Sequence, residues 1–179
     1  MKKILALAGS NSTQSINAKL LKFTIDQIYD YKVQFIKMAD LPFPMYSEDE
    51  EKSSGFKNSL IELHNDIREA EGLLIAVNEH NGSMSAYFKN VLDWLSRFNR
   101  KFLDEKNVFI LSTSNGIRGG IGALEQLEKM IPRFGGIVVE AYSLPKFSEN
   151  FSLATNKVVD KNAKKVLEEK LNTFLKAIA

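Results

Sequence analysis

The sequence predicts an α/β protein built on a parallel, doubly wound sheet. Five short apolar runs recur along the chain, and each is mostly continuous rather than alternating, which is typical of strands buried on both faces. Amphipathic stretches separate them, and strands that alternate with helices form right-handed βαβ units. The five predicted strands are Ile4–Ala8, Val33–Met38, Leu73–Val77, Val108–Leu111 and Ile137–Ala141.

The segments between and after these runs carry apolar stripes at the helical period, and they predict five helices. The stripes run over Leu20–Ile28, Leu60–Ala70, Met84–Phe98, Ile121–Ile131 and Ala163–Ile178.

The segment between the second strand and the second helix is predicted to be a loop. Leu41–Tyr46 contains two prolines, which break regular structure, and Ser47–Glu51 is an acidic run typical of a solvated face.

The length and composition indicate one globular domain over residues 1–179. Hydrophobic residues make up 44% of the chain and charged residues 26%. The formal net charge is only +2, so the chain lacks the excess of positive charge that is typical of nucleic-acid-binding proteins. The absence of cysteine excludes disulfides, thiol catalysis and cysteine-ligated metals. Only two histidines are present, in different segments, so we expect no metal site.

The first residues, Met1–Ala8, resemble the charged and apolar opening of a signal peptide. The apolar run stops after five residues at Gly9, which is short for a signal sequence and favours a buried first strand. No apolar stretch is long enough to cross a bilayer, so we expect a cytoplasmic protein without membrane contact.

A polar loop, Gly9–Ser15, follows the first strand and is rich in hydroxyl groups. The free N–H groups of a helix N-terminus attract anions, and no Lys or Arg lies between Lys3 and Lys19. Because the chain lacks both the P-loop and the Gly-x-Gly-x-x-Gly turn, a monophosphate held by neutral donors fits best. The alternative is a helix that is merely well capped.

Two more polar loops follow the third and fourth strands. Asn78–Ser83 could hydrogen-bond a flat polar ring, or Asn81-Gly82 could be a simple turn with Ser83 capping the next helix. Ser112–Gly120 has three glycines in nine residues, which suits close approach to a planar ligand or indicates a flexible loop. Ligands of open α/β sheets bind at the carboxyl ends of the strands, where all three loops lie.

Other candidate sites are weak. His64 is interpreted as a surface residue on a helix, and His80 as a poor metal ligand without neighbouring partners. No Gly-x-Ser-x-Gly elbow is present, so serine hydrolysis has no support. The third helix and its end carry many aromatic residues, from Tyr87 to Phe102, which indicates either a subunit interface or a deeply buried helix.

These motifs resemble the NAD(P)H-dependent FMN reductase family, which also contains quinone, azo-dye and chromate reductases. Gly9-Ser10, Ser15 and Asn17 are similar to its phosphate loop, Gly-Ser-x-Arg-x-x-Ser-x-Asn. The second loop and third helix are similar to its signature, Pro-Glu-Tyr-Asn-Gly-Ser…Lys-Asn-x-x-Asp-Trp-Leu-Ser-Arg, through Glu79, Asn81, Gly82, Ser83, Lys89, Asn90 and Asp93–Arg97. The third loop is similar through Ser112, Ser114, Gly116, Gly119 and Gly120, and the resemblance covers residues 1 to about 142.

Three positions depart from the family pattern. The phosphate-loop Arg is Ser12 here, the signature Pro is Asn78 and the signature Tyr is His80. The first change implies weaker FMN affinity, and the other two alter the flavin edge and with it the substrate range.

The resemblance implies a flavodoxin-like, three-layer fold with a doubly wound parallel five-stranded sheet of order 2-1-3-4-5. It implies FMN as cofactor, NAD(P)H as co-substrate, hydride transfer through the flavin to a small-molecule acceptor, and a homodimer or homotetramer. No side chain is expected to act as acid or base. The expected cofactor-binding residues are Ser10, Ser12, Ser15, Ile16, Asn17, Asn78, Glu79, His80, Asn81, Gly82, Ser112, Ser114, Asn115, Gly116 and Gly119.

Two other classes of protein remain as alternatives. A flavodoxin-like electron carrier would hold FMN without oxidising nicotinamide itself, although flavodoxins are acidic and this chain has a pI near 8.6. A flavin-free binding protein is the second alternative, because the phosphate loop lacks its Arg.

Overall fold

A parallel sheet of five strands forms the centre of the computed structural model, which describes residues 1–179. The strand order β2-β1-β3-β6-β7 is the predicted order 2-1-3-4-5, with two short hairpins added outside the sheet. In chain order the strands are β1 (Lys3–Ala8), β2 (Lys32–Lys37), β3 (Gly72–Val77), β4 (Glu79–His80), β5 (Ser83–Met84), β6 (Asn107–Thr113), β7 (Ile137–Leu144), β8 (Phe151–Ser152) and β9 (Lys157–Val158).

Seven α-helices connect or follow these strands. All five predicted helices are present, and the stripe ends that lie just outside them are Ile28, Ala70, Met84, Ile131 and Ile178. The helices are α1 (Ile16–Ile25), α2 (Glu48–Ser54), α3 (Asn58–Glu69), α4 (Ala86–Phe98), α5 (Ile121–Met130), α6 (Phe147–Asn150) and α7 (Lys161–Ala177), with 3₁₀ turns at Met38–Asp40 and Ile131–Phe134.

Side chains that alternate along the strands build two hydrophobic clusters, one on each face of the sheet. Leu5, Leu7 and Ile75 face the cluster that includes residues of α3, α4 and α5. Ile4 and Ala6 face the opposite cluster, which includes residues of α1 and α7. The structure therefore has the predicted three layers.

The edge strands are less covered than the sequence suggested. Every residue of β1 from Ile4 onward and all of β3 are buried, whereas β2 has no buried residue. The run Ile137–Ala141 of β7 also has no buried residue. The expectation that all five runs are buried on both faces is therefore wrong for both edge strands, β2 and β7, each of which lacks a neighbouring strand on one side.

The acidic segment is partly helical, so the prediction of a loop over Ser47–Glu51 is wrong. The Ser47 hydroxyl accepts a hydrogen bond from the Glu50 N–H at 3.0 Å and caps α2. The acidic first turn of α2 complements the positive end of the helix dipole. The preceding residues, from Leu41 to Ser47, are irregular as expected.

The aromatic residues of α4 are covered by this chain itself. Phe88 and Trp94 of α4, and Phe102 beyond its end, are each no more than 3% exposed. Tyr87 and Phe98 are partly buried against the same hydrophobic cluster. Of the two interpretations of the third helix, the structure supports the buried helix. His64 is also buried, at 6% exposed, so its interpretation as a surface residue is wrong: it occupies the stripe between Leu60 and Ile67.

No helix of the structure has the length and apolar character needed to cross a membrane.

Candidate functional site

Three polar loops meet at the carboxyl edge of the sheet. The register pairs Ala8 with Ala76 and Val77 with Ser112, so the carboxyl ends of β1, β3 and β6 lie side by side. The loops enclose a cleft of about 470 Å³. Its lining residues are Ser10, Asn11, Ser12, Gln14, Ser15, Ile16, Asn17, Asn78, Glu79, His80, Thr113, Ser114 and Asn115.

The first loop is organised by its own hydroxyl groups. Ser10 Oγ accepts from the Ser12 N–H, and Ser12 Oγ accepts from the Gln14 N–H, each at 3.2 Å. Ser15 Oγ accepts from the Ala18 N–H and caps α1, which confirms the capping alternative for this one residue. Because each hydroxyl is used as an acceptor, its hydrogen remains available to donate into the cleft.

The N-terminus of α1 opens into the same cleft. The N–H groups of Ile16 and Asn17 in its first turn have no acceptor in the protein. Together with the loop hydroxyls they form a set of neutral donors, and the helix dipole adds positive potential. This arrangement suits a phosphate group.

The Asn17 side chain joins the first loop to the third. Its Nδ2 donates to the Thr113 carbonyl at 3.0 Å, and its Oδ1 accepts from the Thr113 N–H at 2.8 Å. Asn17 and Thr113 are both almost fully buried. The side chain therefore braces two loops, and the backbone N–H of Asn17 is the group free to bind a ligand.

The second loop is a β-hairpin of β4 and β5. Asn81 and Gly82 have φ values of 52° and 75°, the left-handed conformation of a two-residue hairpin turn. The interpretation as a turn is confirmed. The expected cap is wrong, because Ser85 caps α4, while Ser83 Oγ donates to Gln126 at 2.8 Å.

This hairpin is fastened to the start of α5. The Glu79 carboxylate accepts from the Ala123 N–H at 3.1 Å, and so caps a helix whose own N-cap residue, Gly120, offers no side chain. At Gly122, a Cβ would lie 2.5 Å from the Gly82 carbonyl oxygen, so only glycine permits this approach. Glu79 therefore positions the second loop as well as lining the cleft.

The third loop presents unpaired backbone donors. The N–H groups of Gly116, Ile117 and Arg118 have no acceptor in the protein. Gly119 is different, because its N–H bonds to the Gly116 carbonyl and its own carbonyl accepts from Ser112 and Ser143. Gly119 is therefore part of the loop's internal support.

The cleft contains most of the residues predicted to bind the cofactor. The exceptions among them are Asn81, Gly82, Ser112, Gly116 and Gly119, which do not line it. Ser112 is fully buried beneath the third loop. The structure adds Asn11, Gln14 and Thr113 to the lining, and all three lie in polar loops predicted from the sequence.

The signature residues on α4 do not reach the cleft. Asn90 Nδ2 and Trp94 Nε1 both donate to the Pro44 carbonyl at 2.9 Å, and Asn90 Oδ1 accepts from the Tyr46 N–H at 2.7 Å. One helix turn further, Arg97 forms two hydrogen bonds with Glu51. The Arg97 guanidinium and the Tyr46 hydroxyl, both bonded to this carboxylate, lower its pKa.

The cleft is polar but almost without charge. Glu79 carries its only carboxylate, His80 is its only other titratable lining residue, and no Lys or Arg lines it. An anion bound here would rely on hydroxyls, amides and free N–H groups. The residues fit the phosphate, ribityl chain and polar ring edge of FMN, all of which accept such hydrogen bonds.

Comparison with known proteins identifies the family. A model of NADPH-dependent FMN reductases matches residues 2–149. The chain belongs to this family. It is accordingly an NAD(P)H-dependent flavoprotein oxidoreductase with FMN as its cofactor, and the family resemblance and enzyme class expected from the motifs are confirmed. The electron-carrier alternative is not favoured.

Several relatives are similar to this chain over most of its length. An NADH-dependent flavin reductase subunit of Lactobacillus johnsonii is 26% identical, over 98% of this chain and 97% of its own. An NAD(P)H-dependent FMN reductase of Pseudomonas aeruginosa is 28% identical, over 96% and 92%. A quinone reductase of Escherichia coli is 27% identical, over 82% and 84%.

Solved structures share the fold. The NAD(P)H:acceptor oxidoreductase FerB of Paracoccus denitrificans superposes with a TM-score of 0.80 at 23% identity, covering 99% of this chain and 97% of its own. The apo form of the NADH:FMN oxidoreductase EMOB gives 0.79 at 23% identity, covering 100% and 91%. The flavodoxin-like fold predicted from the sequence is confirmed.

Proposed function

We propose that the cleft between the three loops holds FMN, with its phosphate on the first loop. The observation that carries this proposal is the set of neutral donors at the α1 N-terminus, where Ile16 and Asn17 offer unpaired N–H groups beside the hydroxyls of Ser10, Ser12 and Ser15. A helix N-terminus with hydroxyl donors binds a phosphate without a cation, which the cleft lacks.

The isoalloxazine ring lies between the second and third loops in this proposal. The free N–H groups of Gly116, Ile117 and Arg118 stabilise negative charge on the ring edge. The FMN supplies the redox chemistry, receiving a hydride from NAD(P)H and passing electrons to an acceptor. The protein positions the ring through the Glu79 contact to α5, and it keeps one face open for stacking.

The acceptor is a small molecule of the quinone, flavin or azo type. The relatives support this class, since those named above are a flavin reductase, an FMN reductase and a quinone reductase. His80 is the exposed residue of the second loop at the cleft, so its imidazole would meet an acceptor stacked on the flavin.

An anaerobic visible spectrum tests the proposal. Protein loaded with FMN should lose its visible flavin absorbance when NADH or NADPH is added, and it should regain that absorbance when a quinone is added afterwards. Comparing the two nicotinamides at equal concentration identifies the preferred donor. A protein that binds FMN but is bleached by neither nicotinamide would refute the reductase activity and favour an electron carrier.

We further propose that residues 1–179 are one FMN-binding domain that works in the cytoplasm as a homodimer or homotetramer. The single sheet supports the one domain, because both hydrophobic clusters pack on it. The exposed side chain of Ile117, in the loop beside the cleft, supports association of copies at this edge. Light scattering coupled to gel filtration measures the assembly, and a monomeric mass at micromolar concentration would contradict it.

A further inference from the structure

Asn78 stands at the position of the proline in the family signature quoted above, and it is the most buried polar side chain of the second loop. It is 7% exposed and lies directly after β3. By continuation of the strand register, its neighbours across the sheet are Ser10 of the first loop and Thr113 at the end of β6. Adjacent strands are about 4.8 Å apart, so Asn78 lies beside the proposed phosphate site.

The oxygen of the Asn78 side-chain amide, Oδ1, has a hydrogen-bond partner in the protein. Ser85 Oγ accepts from the Phe88 N–H at 3.2 Å as the cap of α4, and its hydroxyl hydrogen donates to Asn78 Oδ1 at 3.0 Å. The Ser85 N–H donates to the Asn78 carbonyl at 3.1 Å. These contacts orient the amide, with Oδ1 toward α4 and Nδ2 away from it.

The other half of the amide has no partner in the protein. Nδ2 donates to no acceptor in the protein. Every fully buried side-chain nitrogen of the structure has a hydrogen-bond partner, so Nδ2 is not fully buried. The group must therefore reach solvent, and Asn78 lines the cleft. A nearly buried side-chain amide with two unused hydrogens is thus accessible from the cleft.

We infer that Asn78 Nδ2 donates a hydrogen bond to the FMN phosphate and partly replaces the arginine that is absent at Ser12. This inference rests on the proposed function, because it needs FMN in the cleft. Proline at this position has no side-chain donor. The Asn78 amide would be one more neutral donor to the phosphate, beside the serine hydroxyls and the N–H groups at the α1 N-terminus. The phosphate would then be bound without a cation in the cleft.

Asn78→Asp is the sharpest variant, because it changes only the group in question. Aspartate keeps an oxygen for the Ser85 hydroxyl and nearly the same shape, but it replaces the NH₂ group by an acceptor. Asn11→Asp is the matched control. Asn11 is an exposed residue of the first loop, and the same charge is introduced there without removing a hydrogen bond within the protein.

Fluorescence quenching of flavins added to flavin-free protein measures affinity directly, without turnover. Asn78→Asp should raise the Kd for FMN at least tenfold more than Asn11→Asp does, and 0.5 M NaCl should leave most of that difference because a direct contact is screened little. Riboflavin, which has no phosphate, should bind wild type and Asn78→Asp within about twofold. The neutral Asn78→Ala should also weaken FMN by about tenfold and spare riboflavin, since a hydrogen bond to a charged group is lost.

Three results would overturn the inference. Equal losses in Asn78→Asp and Asn11→Asp would show a charge effect alone. Equal losses for FMN and riboflavin would place the amide against the ring or ribityl chain. Unchanged FMN affinity in Asn78→Ala would show that Nδ2 makes no contact. Failure of folded wild-type protein to bind FMN would refute the proposed function instead, and circular dichroism of each variant verifies folding.

Discussion

Truncating Asn17 to alanine should destabilise the protein even when no flavin is bound. The change removes two hydrogen bonds to Thr113, at 3.0 and 2.8 Å, and leaves the Thr113 N–H buried without an acceptor. Two bonds at about 1 kcal/mol each, and about 1 kcal/mol for the unpaired N–H, lower the free energy of unfolding by about 3 kcal/mol. For a chain of this length that loss corresponds to a fall in Tm of about 6–12 °C.

Urea unfolding of flavin-free protein, followed by circular dichroism, measures this loss. Asn107→Ala is the control, because Asn107 Nδ2 makes a single exposed hydrogen bond to the Ala177 carbonyl. That variant should lose less than about 0.5 kcal/mol. If the loss of unfolding free energy in Asn17→Ala lies within about 1 kcal/mol of the loss in the control, Asn17 does not stabilise the contact between the two loops. If Asn17 served only as an FMN ligand, affinity alone would fall and flavin-free stability would be unchanged.

Three other changes probe the supports of the cleft. Gly119→Ala should lower Tm by several degrees more than Gly55→Ala, because both have positive φ but a Cβ at Gly119 would also lie 2.8 Å from the Pro145 nitrogen. Similar losses would exclude the steric cause. Gln126→Ala should cost about 2 kcal/mol in urea unfolding, since Oε1 accepts two hydrogen bonds from β5; a change below about 0.5 kcal/mol would contradict this contact. Burial lowers the pKa of His64 below its ordinary 6.5, so the unfolded chain takes up the proton first and stability should fall as pH drops from 7 to 5. His64→Gln should lack that part of the pH dependence in urea titrations, and a curve identical to that of wild type would refute it.

The central strands of the sheet were predictable because parallel strands that are buried on both faces have uninterrupted apolar sequences. The run at the edge strand β2 is interrupted by Gln34 and Lys37, and these polar residues are a signal of the partial exposure that the structure shows. The helix α2 was missed although a signal for it exists. Ser47 with Glu50 three residues later is a capping pattern, which outweighs an interpretation based on charge alone.

The site was predictable loop by loop, but its internal bonds were not. Asn81-Gly82 is a strong hairpin signal, and the turn was one of the two interpretations that the sequence offered. His64 follows Leu63 on the apolar stripe, so its burial could have been recognised. The bonds between Asn17 and Thr113 join residues 96 positions apart. No periodicity or motif encodes such a pair, because it depends on how two loops meet after the sheet has formed.

The residues that carry the family resemblance divide between the cleft and α4, because Ser10, Ser15, Asn17, Glu79 and Ser114 line the cleft and the matching residues of α4 do not. On α4 the signature is used to hold Pro44, Tyr46 and Glu51 against the helix, away from the cleft. The departures at Ser12, Asn78 and His80 all line the cleft itself. We therefore expect these three positions to set this chain's FMN affinity and choice of acceptor apart from those of its relatives. An arginine restored at position 12 should tighten FMN binding, and it should reduce the contribution of Asn78 if both serve the same phosphate.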